Sequence, residues 1–115
     1  MSRLKLEIIL KQLDDTNQQT WKKKLVNDYP DVSSFTALEI TINPSEERTF
    51  NLDKCNILYI ISEHSLEVKH EETDTNSIST GKICLIDRED GITTFYIKNL
   101  DTENKNALSI NLIEY

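Results

Sequence analysis

Apolar and polar side chains alternate along most of this chain, and most plainly in its last quarter. Phe95 and Ile97 alternate with Tyr96 and Lys98; beyond a polar turn, Leu108, Ile110 and Leu112 alternate with Ser109 and Asn111. Period-two patterning puts one set of side chains on a buried sheet face and leaves the other to solvent. That repeat commits the chain to antiparallel strands, and 115 residues leave room for one domain and one core. An apolar share of 37% is enough when it is concentrated on inward-facing positions.

Read from the start, Leu4, Leu6, Ile8 and Leu10 alternate with Lys5, Glu7 and Lys11. Ile9 breaks that alternation, so the segment reads as a strand with a short helix as its rival. Residues 14–34 are polar, with Trp21, Leu25, Val26 and Tyr29 as isolated large side chains. Thr20 to Asn27 fits two helical turns capped by Thr20, and Tyr29-Pro30-Asp31 reads as a stop. From residue 36 the pattern is regular. Strands are expected at 38–42, 49–52, 57–62, 66–71, 83–87, 93–99 and 107–114. The run Ile57-Leu58-Tyr59-Ile60-Ile61 is apolar throughout, as in a strand covered on both faces. Arg88-Glu89-Asp90-Gly91 has the composition of a tight hairpin turn.

The expected fold is therefore all-β: an antiparallel two-sheet sandwich, jelly-roll-like, of about eight strands, with an irregular or short-helical insertion near residues 14–34. One domain spans 1–115, with an N-terminal strand and polar arm (1–35) and a sandwich body (36–115).

Charge divides the chain unevenly. Residues 1–24 carry six basic side chains against three acidic ones, and the remainder carries seven against seventeen. The acidic body argues against nucleic acid, whose phosphates need clustered Lys and Arg. A basic arm suits a neighbour with an acidic surface. No charged-then-apolar leader and no run of about 18 apolar residues for a membrane span is seen. Asn43-Pro44-Ser45 is spoiled as a glycosylation acceptor by its proline. Cys55 and Cys84 belong to no Cys/His cluster; they allow one disulfide, but flanked by apolar residues they read as small buried hydrophobes.

Chemistry is scarce. His64 and His70, with Glu63, Glu67, Glu71 or Glu72 nearby, are the best metal candidates. On an unbroken strand they lie about 20 Å apart, too far for one ion, and the His-x-His pair of a cupin-type metal site is missing. The serines lack a Gly-x-Ser-x-Gly elbow, and two glycines exclude a phosphate-cradling loop. Asp87, Glu89 and Asp90 resemble a glycosidase pair only in composition, because they sit at an expected turn rather than in a cleft. Neither a catalytic residue nor a cofactor is expected. Trp21 and Tyr29 either seal the end of the sandwich or anchor a partner, as interface aromatics do.

Thr94-Phe95-Tyr96-Ile97-Lys98-Asn99-Leu100, a polar turn, then Ala107-Leu108-Ser109-Ile110-Asn111-Leu112-Ile113 resembles the terminal hairpin of small β-sandwich virion proteins of bacteriophages. Leu58 to Ser62 and Leu66 to Val68 are similar to their central strands, so the resemblance spans about residues 36–115. It implies a non-enzymatic virion component, an accessory capsid protein or a small tail or connector piece. Such a protein is made in the host cytoplasm and is expected as a homo-oligomer or multicopy assembly against coat or tail subunits. Leu4, Ile9, Trp21, Lys22, Lys23, Lys24 and Tyr29 are the expected partner-binding residues. The rival reading is a carbohydrate- or ligand-binding module, though Tyr59, Phe95 and Tyr96 fall in core-rich strands rather than on an open platform.

Overall fold

The structure, a computed structural model, describes residues 2–115. Among them it contains six strands and no helix: β1 (Ser2–Leu13), β2 (Gln19–Val32), β3 (Ser34–Ile42), β4 (Glu47–Lys69), β5 (Ser79–Asn99) and β6 (Asn106–Glu114). The all-β, antiparallel expectation holds. The chain divides after Ser33 into two compact units, a two-stranded sheet β1-β2 and a body with strand order β3-β6-β4-β5.

The short-helical insertion is corrected. Residues 19–32 form β2, which pairs antiparallel with β1 from Leu4–Tyr29 to Gln12–Trp21. Trp21, Leu25 and Tyr29 are spaced by four, which a helix and a strand both accept. Pairing with β1 decides for the strand, because Leu25 then meets Ile8 and Tyr29 meets Leu4 on one face. Thr20 caps nothing; its hydroxyl donates to the Gln12 carbonyl at 3.3 Å. The turn is built by Asp14, whose Oδ1 accepts from the Thr16 and Gln18 amides at 2.9 Å, with Asn17 in the left-handed region at φ 64°. Pro30 does not end the strand. It sits where the register slips between Ser2/Val32 and Leu4/Tyr29, a bulge on an edge strand that forgoes its missing N–H.

Merging takes the eight expected strands to five, because the expected breaks are bends within continuous strands, and β2 makes six. The segments 49–52, 57–62 and 66–71 merge into β4, and 83–87 and 93–99 merge into β5. At each bend an asparagine side chain stands in for interrupted backbone pairing. Asn56 Nδ2 donates to the carbonyls of Arg88 and Glu89, both at 3.1 Å, and its Oδ1 accepts from the Tyr115 amide. Asp90-Gly91 is therefore a kink in β5 and not a hairpin turn; Gly91 takes φ 93°, which a side chain would resist. In β4, Asn106 Oδ1 accepts the His64 amide and Nδ2 donates to the His64 carbonyl, each at 2.9 Å. Buried polar groups are tolerated when they are satisfied in this way.

The two kinks fold the body over its own core. Residues 66–68 of β4 pair with 79–81 of β5 on one side and with 97–99 on the other, so the sheet curls round itself. Leu58, Ile60, Cys84, Leu108 and Ile110 come from one wall, and Leu66, Val68, Phe95 and Ile97 from the other. Phe50 stacks on Phe95 at 4.8 Å between ring centroids. Cys55 and Cys84 are free thiols in this core, and burial pushes both up from the ordinary thiol range. A further expectation fails here: residues 93–99 and 107–114 do not form a hairpin. β6 pairs with β3 and with Ile57–Ser62 of β4, whereas the end of β5 pairs with the two ends of β4. Asn99, fully buried, ties the crossing between them by donating to the carbonyls of Asn43 and Asn104 at 3.0 Å.

Candidate functional site

The β1-β2 hairpin is amphipathic. Paired residues on antiparallel strands share a face, so Leu4, Leu6, Ile8 and Leu10 of β1 lie beside Tyr29, Leu25 and Trp21 of β2. The opposite face carries Lys5, Glu7, Ile9 and Lys11 against Asp28, Val26, Lys24 and Lys22. On that face Glu7 bridges Lys5 at 3.1 Å and Lys24 at 3.5 Å, and Lys5, then Lys24, hold its carboxyl below the usual carboxylate range. Lys11 sits directly opposite Lys22, an unfavourable cross-strand pair of like charges.

The apolar face is open. Leu10, Trp21 and Leu25 are each about half exposed, at 49%, 49% and 48%. Two strands alone are marginal in water, and an apolar face is what a hairpin offers for stabilisation by something else.

The expected partner-binding residues therefore split. Leu4, Trp21, Lys23 and Tyr29 share the apolar face, whereas Ile9, Lys22 and Lys24 lie on the charged one. Leu6, Ile8, Leu10 and Leu25 belong with the first set and went unnamed. Even-numbered spacing from Leu4 to Leu10 already carried the signal for three of them; Leu25 needed the hairpin register.

The body has a second open apolar face. Across the outside of its sheet run the rows Glu39–Ser109–Ile61–Ile83 and Ala37–Asn111–Tyr59–Leu85. The run Ile57 to Ile61 is expected to be covered on both faces, and its inner side is, with Leu58 and Ile60 buried; on the outer side cover fades along the strand, from buried Ile57 through half-buried Tyr59 to Ile61 at 42% exposed, with its neighbour Ile83 at 64%. Beside Ile61 a shallow groove of about 610 Å³ is bordered by Glu39 and Glu63.

The two histidines do not come together. His64 Nδ1 faces the Asp101 carboxylate at 3.4 Å and His70 stands 3.2 Å from Arg88, each with its own partner. No group of three or more His, Cys, Asp or Glu among the described residues is placed to hold a metal ion. Asp87 accepts from the Tyr115 hydroxyl. Phe95 and Tyr96 are buried, so they form no platform for a sugar. Burial, helped by Glu47, pushes the Tyr96 phenol up to about 12.

No family model and no curated protein matches this chain. Among solved structures it is similar to the Cnp3 cupin domain of Schizosaccharomyces pombe, at 13% identity, with 96% of this chain and 84% of that one covered and a TM-score of 0.46. A likeness at that level carries no argument, and the site rests on its own geometry.

Proposed function

We propose that this chain is a non-enzymatic assembly protein that docks on neighbouring subunits through the apolar face of its N-terminal hairpin. The observation that carries the reading is the half-exposed set Leu10, Trp21 and Leu25 on a sheet of only two strands. Such a sheet has no core of its own and gains one by burying that face. The finer placement we propose is a virion, in a jelly-roll-like accessory capsid protein or a small tail or connector piece. What supports the virion is the sequence resemblance over residues 36–115 alone.

The test compares particles made with the full chain and with a chain lacking residues 1–33, by mass spectrometry of the purified assemblies. The body keeps its core cluster in that deletion, since every member lies beyond residue 41. The expected result is loss of the shortened chain from particles while circular dichroism shows it folded. Incorporation at the normal copy number contradicts the docking role, and absence of the full chain from particles contradicts the virion placement.

A further inference from the structure

The molecule carries two uncovered apolar faces of opposite electrical character. The first is the hairpin face with Leu10, Trp21 and Leu25, which also carries Lys23, a side chain that holds no ion pair among the described residues. The second is the outer face of the body with Ile61, Ile83 and Leu85, bordered by Glu39 and Glu63, which also hold none. The hairpin unit carries six basic and five acidic side chains, and the body seven and fifteen. Side-chain patterning makes the same demand. β4 is apolar on both sides through Ile57–Ile61 and β5 through Ile83–Ile86, which is the composition of strands with a layer on each face, yet Ile61, Ile83 and Leu85 have only one.

We infer that the occupant of each face is a second copy of this chain: the hairpin of one copy lies on the outer sheet face of the other, and reciprocal exchange closes a twofold pair. The inference deepens the assembly reading and rests on it by naming the partner. Apolar side chains meet at the centre of each contact, and Lys23 meets Glu39 and Glu63 at its border, where complementary charge selects register. Each hairpin binds a surface unlike its own. Two such contacts related by a twofold axis use up both faces and leave no free end for a filament.

The test uses the full chain and two exposed-site variants, Leu25→Glu on the hairpin and Ile83→Glu on the body. Light scattering coupled to size exclusion, from about 1 µM to about 200 µM, is expected to give twice the 13.3 kDa chain mass for the native protein. Each variant alone is expected to weaken self-association at least about tenfold. Mixed one to one they regain a dimer, because the intact hairpin of one finds the intact body of the other. In a single chain, Lys23→Glu with Glu63→Lys is expected to associate more tightly than either change alone. A native chain that stays monomeric across the range overturns the inference. So does a dimer indifferent to Ile83→Glu, which would be hairpin on hairpin, or a mixture that fails to complement. Monomers that bind phosphatidylserine vesicles through the lysines overturn it in favour of a membrane surface. A monomer whose Leu25→Glu variant is also lost from particles removes the second copy while the assembly reading stands.

Discussion

The hairpin and the body are built from the same alternating pattern and end in opposite states. In the body, β4 and β5 kink and curl until Leu58, Ile60, Ile97 and Ile110 are at most 1% exposed. In the hairpin, Leu4, Leu6, Ile8 and Leu10 also repeat by two, with Ile9 as the one interruption, yet the sheet stops at two strands and half of Leu10 faces solvent. Alternation specifies a buried face; strand number within the unit decides whether the chain itself buries it. The body supplies its own second wall. The hairpin requires one from elsewhere.

The largest effect that sharpens this contrast is expected in the body. Phe95→Ala removes a ring that is 1% exposed and stacked on Phe50, and is expected to cost about 3–5 kcal/mol in urea unfolding. Leu25→Ala in the hairpin, measured on the dissociated chain, is expected to cost under about 0.5 kcal/mol. Equal losses would break the comparison. Next comes the asparagine that bridges the bend in β4. Asn106→Ala leaves the His64 amide and carbonyl without their partner and is expected to cost about 1–3 kcal/mol, read in the same experiment.

A smaller effect comes from alkali. Burial raises the Tyr96 phenol to about 12, so the folded state favours the neutral form. That contribution is complete below the ordinary phenol value near pH 10 and is lost as pH rises through about 12. Tyr96→Phe is expected to flatten the fall in body stability across that window, followed by circular dichroism; an unchanged slope would assign the alkaline loss elsewhere.

The sequence carried the strand class because Phe95/Ile97 and Leu108/Ile110/Leu112 repeat by two with no competing period. Residues 20–29 were ambiguous in physical terms: a spacing of four between Trp21, Leu25 and Tyr29 satisfies both repeats, and only pairing with β1 breaks the tie. The bend at Asp90-Gly91 has the composition of a chain reversal and the one at 63–65 that of a break between strands, because polar residues and glycine serve both turns and bulges. What distinguishes them is a side chain distant in sequence, Asn56 for the first and Asn106 for the second. Trp21 and Tyr29 were visible as candidates, and so was the basic segment. That Ile9 and Lys24 lie on the face opposite Trp21 follows from the register of a hairpin whose turn, at Asp14 to Gln18, had no glycine to announce it.

The most direct measurement follows Trp21, the single tryptophan of the chain, by its emission maximum as the protein is diluted, with amide exchange read in parallel on 2–32 and 34–115. On dissociation the account predicts that emission shifts to the red and the hairpin amides lose protection, while the body stays protected. Emission that holds still, with hairpin amides as protected as those of the body in a dilute monomer, would contradict it.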